Sequence, residues 1–300
     1  MKKKKIILSG ALGQDGQILS RILLKKKFEV YGIVKNLRSS KIKGVNYKKI
    51  NLNNYRELSQ LLDKIDPNAL VHLGTENPNY LELKKKIDFY KKNLEATKNL
   101  IDYFSKNKND KKLILIGSSQ MYGNSKKRVG LTSKFKPINS YAKFRVEAHH
   151  YMLKKKKKFL SNMTTAILFN HDSLFRKKKF LIPRLSKIIK KKQFKKLKKI
   201  YEENISGDFS HAEDICFGIY KLITLNKNPD KLIFSSNKKT KMNDIINFLL
   251  KLSKNKISIN FKLKNNSFTP IGNNSYTRKI LNWSLKKNIY IAAKEIFLLK

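Results

Sequence analysis

The sequence predicts an α/β protein: a doubly wound parallel sheet with helices on both faces and a smaller C-terminal α/β substrate-binding region. Two observations carry this expectation. Strand-like and helix-like segments alternate through the first 170 residues, the order that a parallel sheet with crossover helices requires. The first apolar run ends in a turn with three glycines that opens a helix, a junction typical of such sheets. A chain of 300 residues, 40% hydrophobic and 10% aromatic, can bury a core of that size.

The elements read as follows. Lys5–Ser9 is an apolar run, and Gln14–Leu24 places Ile18, Leu19, Ile22 and Leu23 at helical spacing. Phe28–Val34 and Tyr47–Leu52 are the next strands, followed by a helix around Tyr55–Ile65 and a buried strand at Ala69–Leu73. A long helix near Ile87–Ser105 leads into the strand Lys112–Gly117, then a helix at Tyr141–Leu153 and a strand at Thr164–Phe169. Beyond it Ile182–Ile189, Ala212–Ile223 and Met242–Leu252 are helical in pattern, and Leu232–Ser235 is strand-like. No linker rich in Gly, Pro or Ser and no internal repeat appears. Residues 1–170 are therefore expected to form the nucleotide-binding domain and residues 171–300 a substrate-binding region partly interleaved with it.

The net charge of +47 raises nucleic acid or an anionic membrane as partners. Of the 68 basic residues only 8 are Arg, and the lysines come with abundant Ile and Asn, the signature of A/T-rich codons. The lysine runs are scattered over residues 2–5, 25–27, 84–86, 154–158, 177–179, 190–192, 195–196 and 198–199. None forms a stripe alternating with aromatics, as a base-stacking groove requires, so nucleic acid is not the expected partner. Such a charge favours polyanionic small ligands. The single cysteine, Cys216, excludes an internal disulfide and fits a reducing compartment. The apolar run Ile6–Leu12 is too short for a signal peptide, and no other run approaches a membrane-spanning length. A cytoplasmic homo-oligomer without a metal is expected.

Three stretches carry chemistry. In Ser9-Gly10-Ala11-Leu12-Gly13-Gln14-Asp15-Gly16, the glycines allow a tight turn, close approach of backbone to phosphate, and close helix-on-strand packing. The helix N-terminus then offers free N–H groups to a pyrophosphate, so a dinucleotide is expected there. Second, the strand Tyr31-Gly32-Ile33-Val34 runs into Lys35-Asn36-Leu37-Arg38 with no acid to take ribose hydroxyls; Lys35 and Arg38 point to NADP. Third, Gly117-Ser118-Ser119-Gln120 follows the fifth strand, and Ser140-Tyr141-Ala142-Lys143-Phe144-Arg145 opens a helix. Tyr141 and Arg145 are four residues apart and share a helical face. A hydroxyl, a tyrosine and a cation form a carbonyl/alcohol redox site, with the tyrosine taking a proton from a sugar hydroxyl.

These motifs resemble the extended short-chain dehydrogenase/reductase family, and within it GDP-mannose 4,6-dehydratase. The matching stretches are Gly13–Gly16, Tyr31–Val34, Ser119-Gln120-Met121-Tyr122-Gly123, Ser140–Ala142, Ile167-Leu168-Phe169-Asn170-His171-Asp172-Ser173 with Arg176 and Phe180, Gly207–Asp214, and Leu281-Asn282-Trp283. The resemblance implies a Rossmann domain holding NADP through Gly10, Gly13, Gln14, Asp15, Gly16, Lys35, Arg38, Asn51, Leu52 and Leu73. It implies a GDP-sugar substrate against Asn170, His171 and Arg176, and chemistry at Ser118, Gln120, Tyr141 and Arg145. The implied reaction is hydride transfer at sugar C4 with elimination of water; a reductase, an epimerase and a catalytically weakened binding homologue remain alternatives.

Five positions depart from the family pattern. Arg145 stands where the family has lysine, and arginine keeps the charge but cannot relay a proton. Gln120 stands where a glutamate acts as base, Asn51 where an aspartate contacts adenine, and Gly207 where an arginine is expected. At the end of the fourth strand the family's glutamine falls on Glu76, so acid and amide have exchanged places between 76 and 120. Glu76 is accordingly expected in the substrate site, supplying base function that Gln120 lacks.

Overall fold

The computed structural model describes residues 3–37, 41–75, 86–106, 111–253 and 261–299. Seven parallel strands form its central sheet, in the order β10-β6-β5-β4-β1-β2-β3: β1 Lys5–Ser9, β2 Glu29–Val34, β3 Val45–Lys49, β4 Ala69–His72, β5 Lys112–Ser118, β6 Asn162–Leu168 and β10 Lys231–Phe234. Between them run α1 Gln14–Lys25, α2 Tyr55–Ile65, α3 Lys86–Lys106, α4 Ser140–Phe159 and α7 Ala212–Thr224. One face of the sheet is covered by α1 and α7 through Ile18, Leu19, Leu23, Ile215 and Ile219, the other by α2, α3 and α4 through Leu58, Leu62, Leu100, Phe104 and Met152.

The remaining elements gather beyond β6. Two short pairs, β7 Asn170–Asp172 with β9 Phe209–His211 and β8 Ser206–Gly207 with β11 Thr240–Lys241, stand beside a helical layer. That layer comprises α5 Leu181–Lys190, α6 Phe194–Glu202, α8 Met242–Leu252 and α10 Ile289–Leu298. It closes over Ile182, Leu185, Ile245, Leu249 and Ala293. The helix α9 Ser275–Leu281 carries Trp283 back toward α7, where its indole N–H donates to the Asp214 carbonyl at 2.8 Å. Because α7 and β10 return to the central sheet, the C-terminal half of the chain completes the layer begun by the first half.

Two elements differ from the sequence reading for identifiable reasons. The third strand is Val45–Lys49, not Tyr47–Leu52: it is an edge strand in register with β2 from Val30↔Val45 to Val34↔Lys49, and only Val45 of it is buried. Asn51 and Leu52 already belong to the turn that leads to the Asn54 cap of α2. The helix read as Tyr141–Leu153 continues to Phe159 through the lysine run at 154–158. Lysine is a good helix former, and at a helix C-terminus it complements the dipole. Among the described residues no helix is long and apolar enough to cross a membrane, and no cluster of His, Cys, Asp or Glu can hold a metal.

Candidate active site

The C-terminal ends of β1, β4, β5 and β6 open onto a cleft of about 470 Å³. It brings together nine of the residues singled out in the sequence: Asp15, Leu73, Ser118, Gln120, Tyr141, Arg145, Asn170, His171 and Arg176. Lys35, Asn51 and Leu52 lie away from it, past the ends of β2 and β3, on the side where the far end of a dinucleotide would extend. Arg38 and Glu76 fall outside the described residues.

The glycine turn is built as a cradle. Gly10 has φ of +70°, and a Cβ there would lie 2.6 Å from the Gly74 Cα, so β1 and β4 can approach only because this residue is bare. A Cβ on Gly16 would meet the Ala11 Cα and the Gly10 carbonyl, both at 2.6 Å. Gly13 begins α1 with no side-chain cap, so the first N–H groups of the helix are left to whatever anion the cradle accepts. These residues fit a dinucleotide pyrophosphate.

Gln14 and Asp15 do more than line this turn. Gln14 is buried; its Nε2 donates to the His171 carbonyl at 3.3 Å and to Asp15 Oδ1 at 3.1 Å, while its Oε1 accepts from the Ser173 hydroxyl at 3.1 Å. The carboxylate of Asp15 faces His171 Nε2 at 3.0 and 3.1 Å. Burial would raise the Asp15 pKa, but His171 and then Arg176 and Gln14 outweigh it and hold the carboxyl at about 2. For His171 burial again opposes charge, and Asp15 overcomes it and raises the pKa. Its other nitrogen, Nδ1, lies 2.6 Å from the Phe169 carbonyl. Both ring nitrogens face groups that only accept, an arrangement that the imidazolium satisfies in full and a neutral ring on one side only. Two sequence stretches assigned separately to cofactor and sugar thus form one charged unit. Beside it Arg176 meets Asp172 at 2.9 Å and stacks on Phe180 at 3.5 Å from the ring centroid. Burial raises the Asp172 pKa against the pull of Arg176.

On the opposite wall, Tyr141 and Arg145 rise from the first turns of α4. Arg145 Nη2 donates to the Tyr141 hydroxyl at 3.0 Å and to Thr75 Oγ1 at 2.5 Å, and its guanidinium lies 5.0 Å from the Tyr141 ring centroid. Arg145 is only 6% exposed, so this cation is desolvated and aimed. Beneath it His72 bridges Ser9 Oγ at 2.7 Å and Thr97 Oγ1 at 3.2 Å; burial, then the charge of Arg145, push its pKa down to about 3. The residue that starts α4, Asn139, works at both ends: Oδ1 caps Ala142 N at 2.8 Å and Nδ2 donates to Gln120 Oε1 at 2.9 Å. Gln120 is thereby fixed as an amide acceptor at the end of β5, where Ser118 Oγ accepts its backbone N–H at 3.3 Å.

A family model described as GDP-mannose 4,6 dehydratase matches residues 7–285. The chain belongs to the GDP-mannose 4,6-dehydratase family. It is 25% identical over 257 residues to GDP-mannose 4,6 dehydratase 1 of Arabidopsis thaliana, covering 78% of this chain and 71% of that protein. The human GDP-mannose 4,6 dehydratase is 21% identical over 252 residues, covering 77% of this chain and 67% of that one. Among solved structures, the dTDP-glucose 4,6-dehydratase of Bacillus anthracis in complex with NAD superposes with a TM-score of 0.82 at 16% identity, over 98% of this chain and 95% of that one.

Within this dehydratase-family fold, the structure also explains Gly207. A Cβ there would fall 1.8 Å from Thr269 Oγ1, which accepts from Asn170 Nδ2 at 3.3 Å. The space beside β8 is filled by a threonine on a separate segment, which leaves no room for a side chain at 207. Sequence reasoning missed Thr269, Thr75, His72 and Asn139. Asn139 alone carried a local signal, a helix-capping amide two residues before Tyr141; the others are brought to the site by the topology.

Proposed function

We propose that the protein is a GDP-mannose 4,6-dehydratase-like enzyme that uses NADP. The observation that carries this reading is the Tyr141 hydroxyl, 3.0 Å from a desolvated Arg145, on the wall of a cleft that Asp15 of the glycine turn also lines. Gly10, Gly13 and Gly16 would hold the pyrophosphate, Lys35 and Arg38 the 2′-phosphate, Asn51 and Leu52 the adenosine end, and Leu73 the cleft side of the cofactor. A nicotinamide held there would supply an acceptor and donor for the hydride of sugar C4. Arg145 supports the negative charge of the Tyr141 phenolate, which takes the proton of the C4 hydroxyl as the hydride leaves C4. Ser118 orients the same hydroxyl, while Asn170, His171 and Arg176 hold the GDP-sugar. The imidazolium and the guanidinium there suit a diphosphate.

Gln120 favours a second reading. Its amide cannot remove the C5 proton, and the carboxylates among the described cleft residues, Asp15 and Asp172, are engaged by His171 and Arg176. An epimerase or a 4-keto-sugar reductase needs the Tyr141–Arg145 pair but not that base. Mass spectrometry of GDP-mannose incubated with the protein and NADP⁺ separates the readings. Loss of one water supports the dehydratase. A product of unchanged mass but altered chromatographic retention supports the epimerase, oxidation of NADPH by a GDP-4-keto-6-deoxy sugar supports the reductase, and no turnover despite tight cofactor binding supports a binding homologue.

A further inference from the structure

A second cavity lies at the opposite edge of the sheet, where α4 ends, β6 begins and the α7–β10 loop crosses. At about 710 Å³ it is larger than the cleft and within the range of small-molecule sites. β6 runs from Asn162 at this cavity to Leu168 at the cleft, so the two are separated by the length of a strand, about 20 Å. Its walls are tied together. Lys156 Nζ donates to the Asn228 carbonyl at 2.9 Å and pairs with Asp230 at 3.0 Å. Asn162 donates to the Asn226 carbonyl at 3.0 Å and accepts from the Asn228 N–H at 3.1 Å.

Two features of this cavity bear on what it could hold. The side-chain nitrogen and oxygen of Asn228, and the hydroxyl of Ser161, are buried without a hydrogen-bond partner, in residues 2% and 3% exposed. Burying an amide costs the hydration of both its ends, and folds tolerate it where another molecule supplies the missing partners. The second feature is charge. Lys156 is committed to Asp230, but Lys157 and Lys227 line the cavity, are exposed and add two further positive charges. The C-terminal dipole of α4 accounts for Lys157 alone; it accounts for neither Lys227 nor the buried amide. Leu153 and Leu160 supply an apolar wall, and Leu160 is held in the left-handed region at φ +53°, with 80% of its surface exposed.

We propose that this cavity is a second ligand site, taking a small organic phosphate. The phosphate sits between Lys157 and Lys227, the body of the ligand rests on Leu153 and Leu160, and its polar groups meet Asn228 and Ser161. Ammonium groups bind phosphate as point charges, and a cavity of this volume exceeds what free phosphate would fill.

The test is isothermal titration of the full chain with AMP, ribose 5-phosphate and inorganic phosphate, on the wild type and on Lys157→Gln/Lys227→Gln. Both lysines are exposed and outside the cleft, so any binding common to the two proteins belongs elsewhere. The wild type should show one more saturable site than the variant for AMP or ribose 5-phosphate, or the same site about tenfold tighter, and inorganic phosphate should bind it more weakly. Asn228→Leu should lose that site without a lower Tm, because it removes no hydrogen bond. Identical isotherms in wild type and double variant overturn the proposal, as does equal affinity for inorganic phosphate. A lower Tm in Asn228→Leu with binding intact would show the amide satisfied by water, and would also overturn it.

Discussion

Replacing Asp15 by asparagine removes the charge that faces His171 and keeps the shape of the side chain. In the folded protein Asp15 ionises at about 2 against 3.8 for an unperturbed aspartate, because His171, with Nε2 3.0 Å away, outweighs the cost of burial. The gap between 3.8 and about 2 corresponds to about 2 kcal/mol of folding free energy. Asp15 has the depressed pKa, so its contribution is complete above pH 3.8 and is lost as the pH falls through about 2. His171 has the raised pKa, so its share is present below pH 6.5 and fades as the pH rises through its folded value. The two describe one interaction from its two ends and are not added. Asp15→Asn should therefore cost about 2 kcal/mol between pH 4 and 6.5, and less on either side of that window. Urea unfolding of both proteins across this range measures the gap, and NMR titration of the His171 ring reports the coupling directly. A gap that does not vary with pH, or a His171 that titrates below 6.5 in the native protein, would refute the reasoning.

Three further outcomes are expected at the cleft. Arg145→Ala should lower kcat by about 10²-fold by leaving the charge on Tyr141 unsupported, while Arg145→Lys, which can relay a proton, should raise it; steady-state kinetics checks both. Gln120→Glu can still accept from Asn139 Nδ2, so it should fold and should increase exchange of the sugar C5 proton with D₂O, read by mass spectrometry. NADP should bind about tenfold more tightly than NAD, and Lys35→Ala should narrow the difference, as fluorescence titration of both cofactors would show.

Much of this architecture was legible in the residues. Long apolar runs such as Leu113–Ile116 announce buried strands, and Met242–Leu252 has the helical bounds its pattern predicts. What escaped follows from how little local pattern some elements need. α6 buries only Leu197 and Glu202, so its Phe194–Glu202 segment, with lysines at 195, 196, 198 and 199, reads as a solvated run. β7, β8, β9 and β11 are two or three residues long, held by a partner distant in sequence. No periodicity can show such pairings.

The site divides the same way. Tyr141 and Arg145 lie on one helix, and their spacing alone sets their contact. His171 and Asp15 are separated by 156 positions, and only the meeting of β7 with α1 makes them a pair. Arg145 and Gln120, where the sequence leads one to expect departures from the family pattern, are likewise held by neighbours that the fold supplies. Thr75 and the Tyr141 hydroxyl both accept from Nη2 of the Arg145 guanidinium, whose buried Nε is left without a partner among the described residues, and Asn139 donates to the Gln120 amide oxygen.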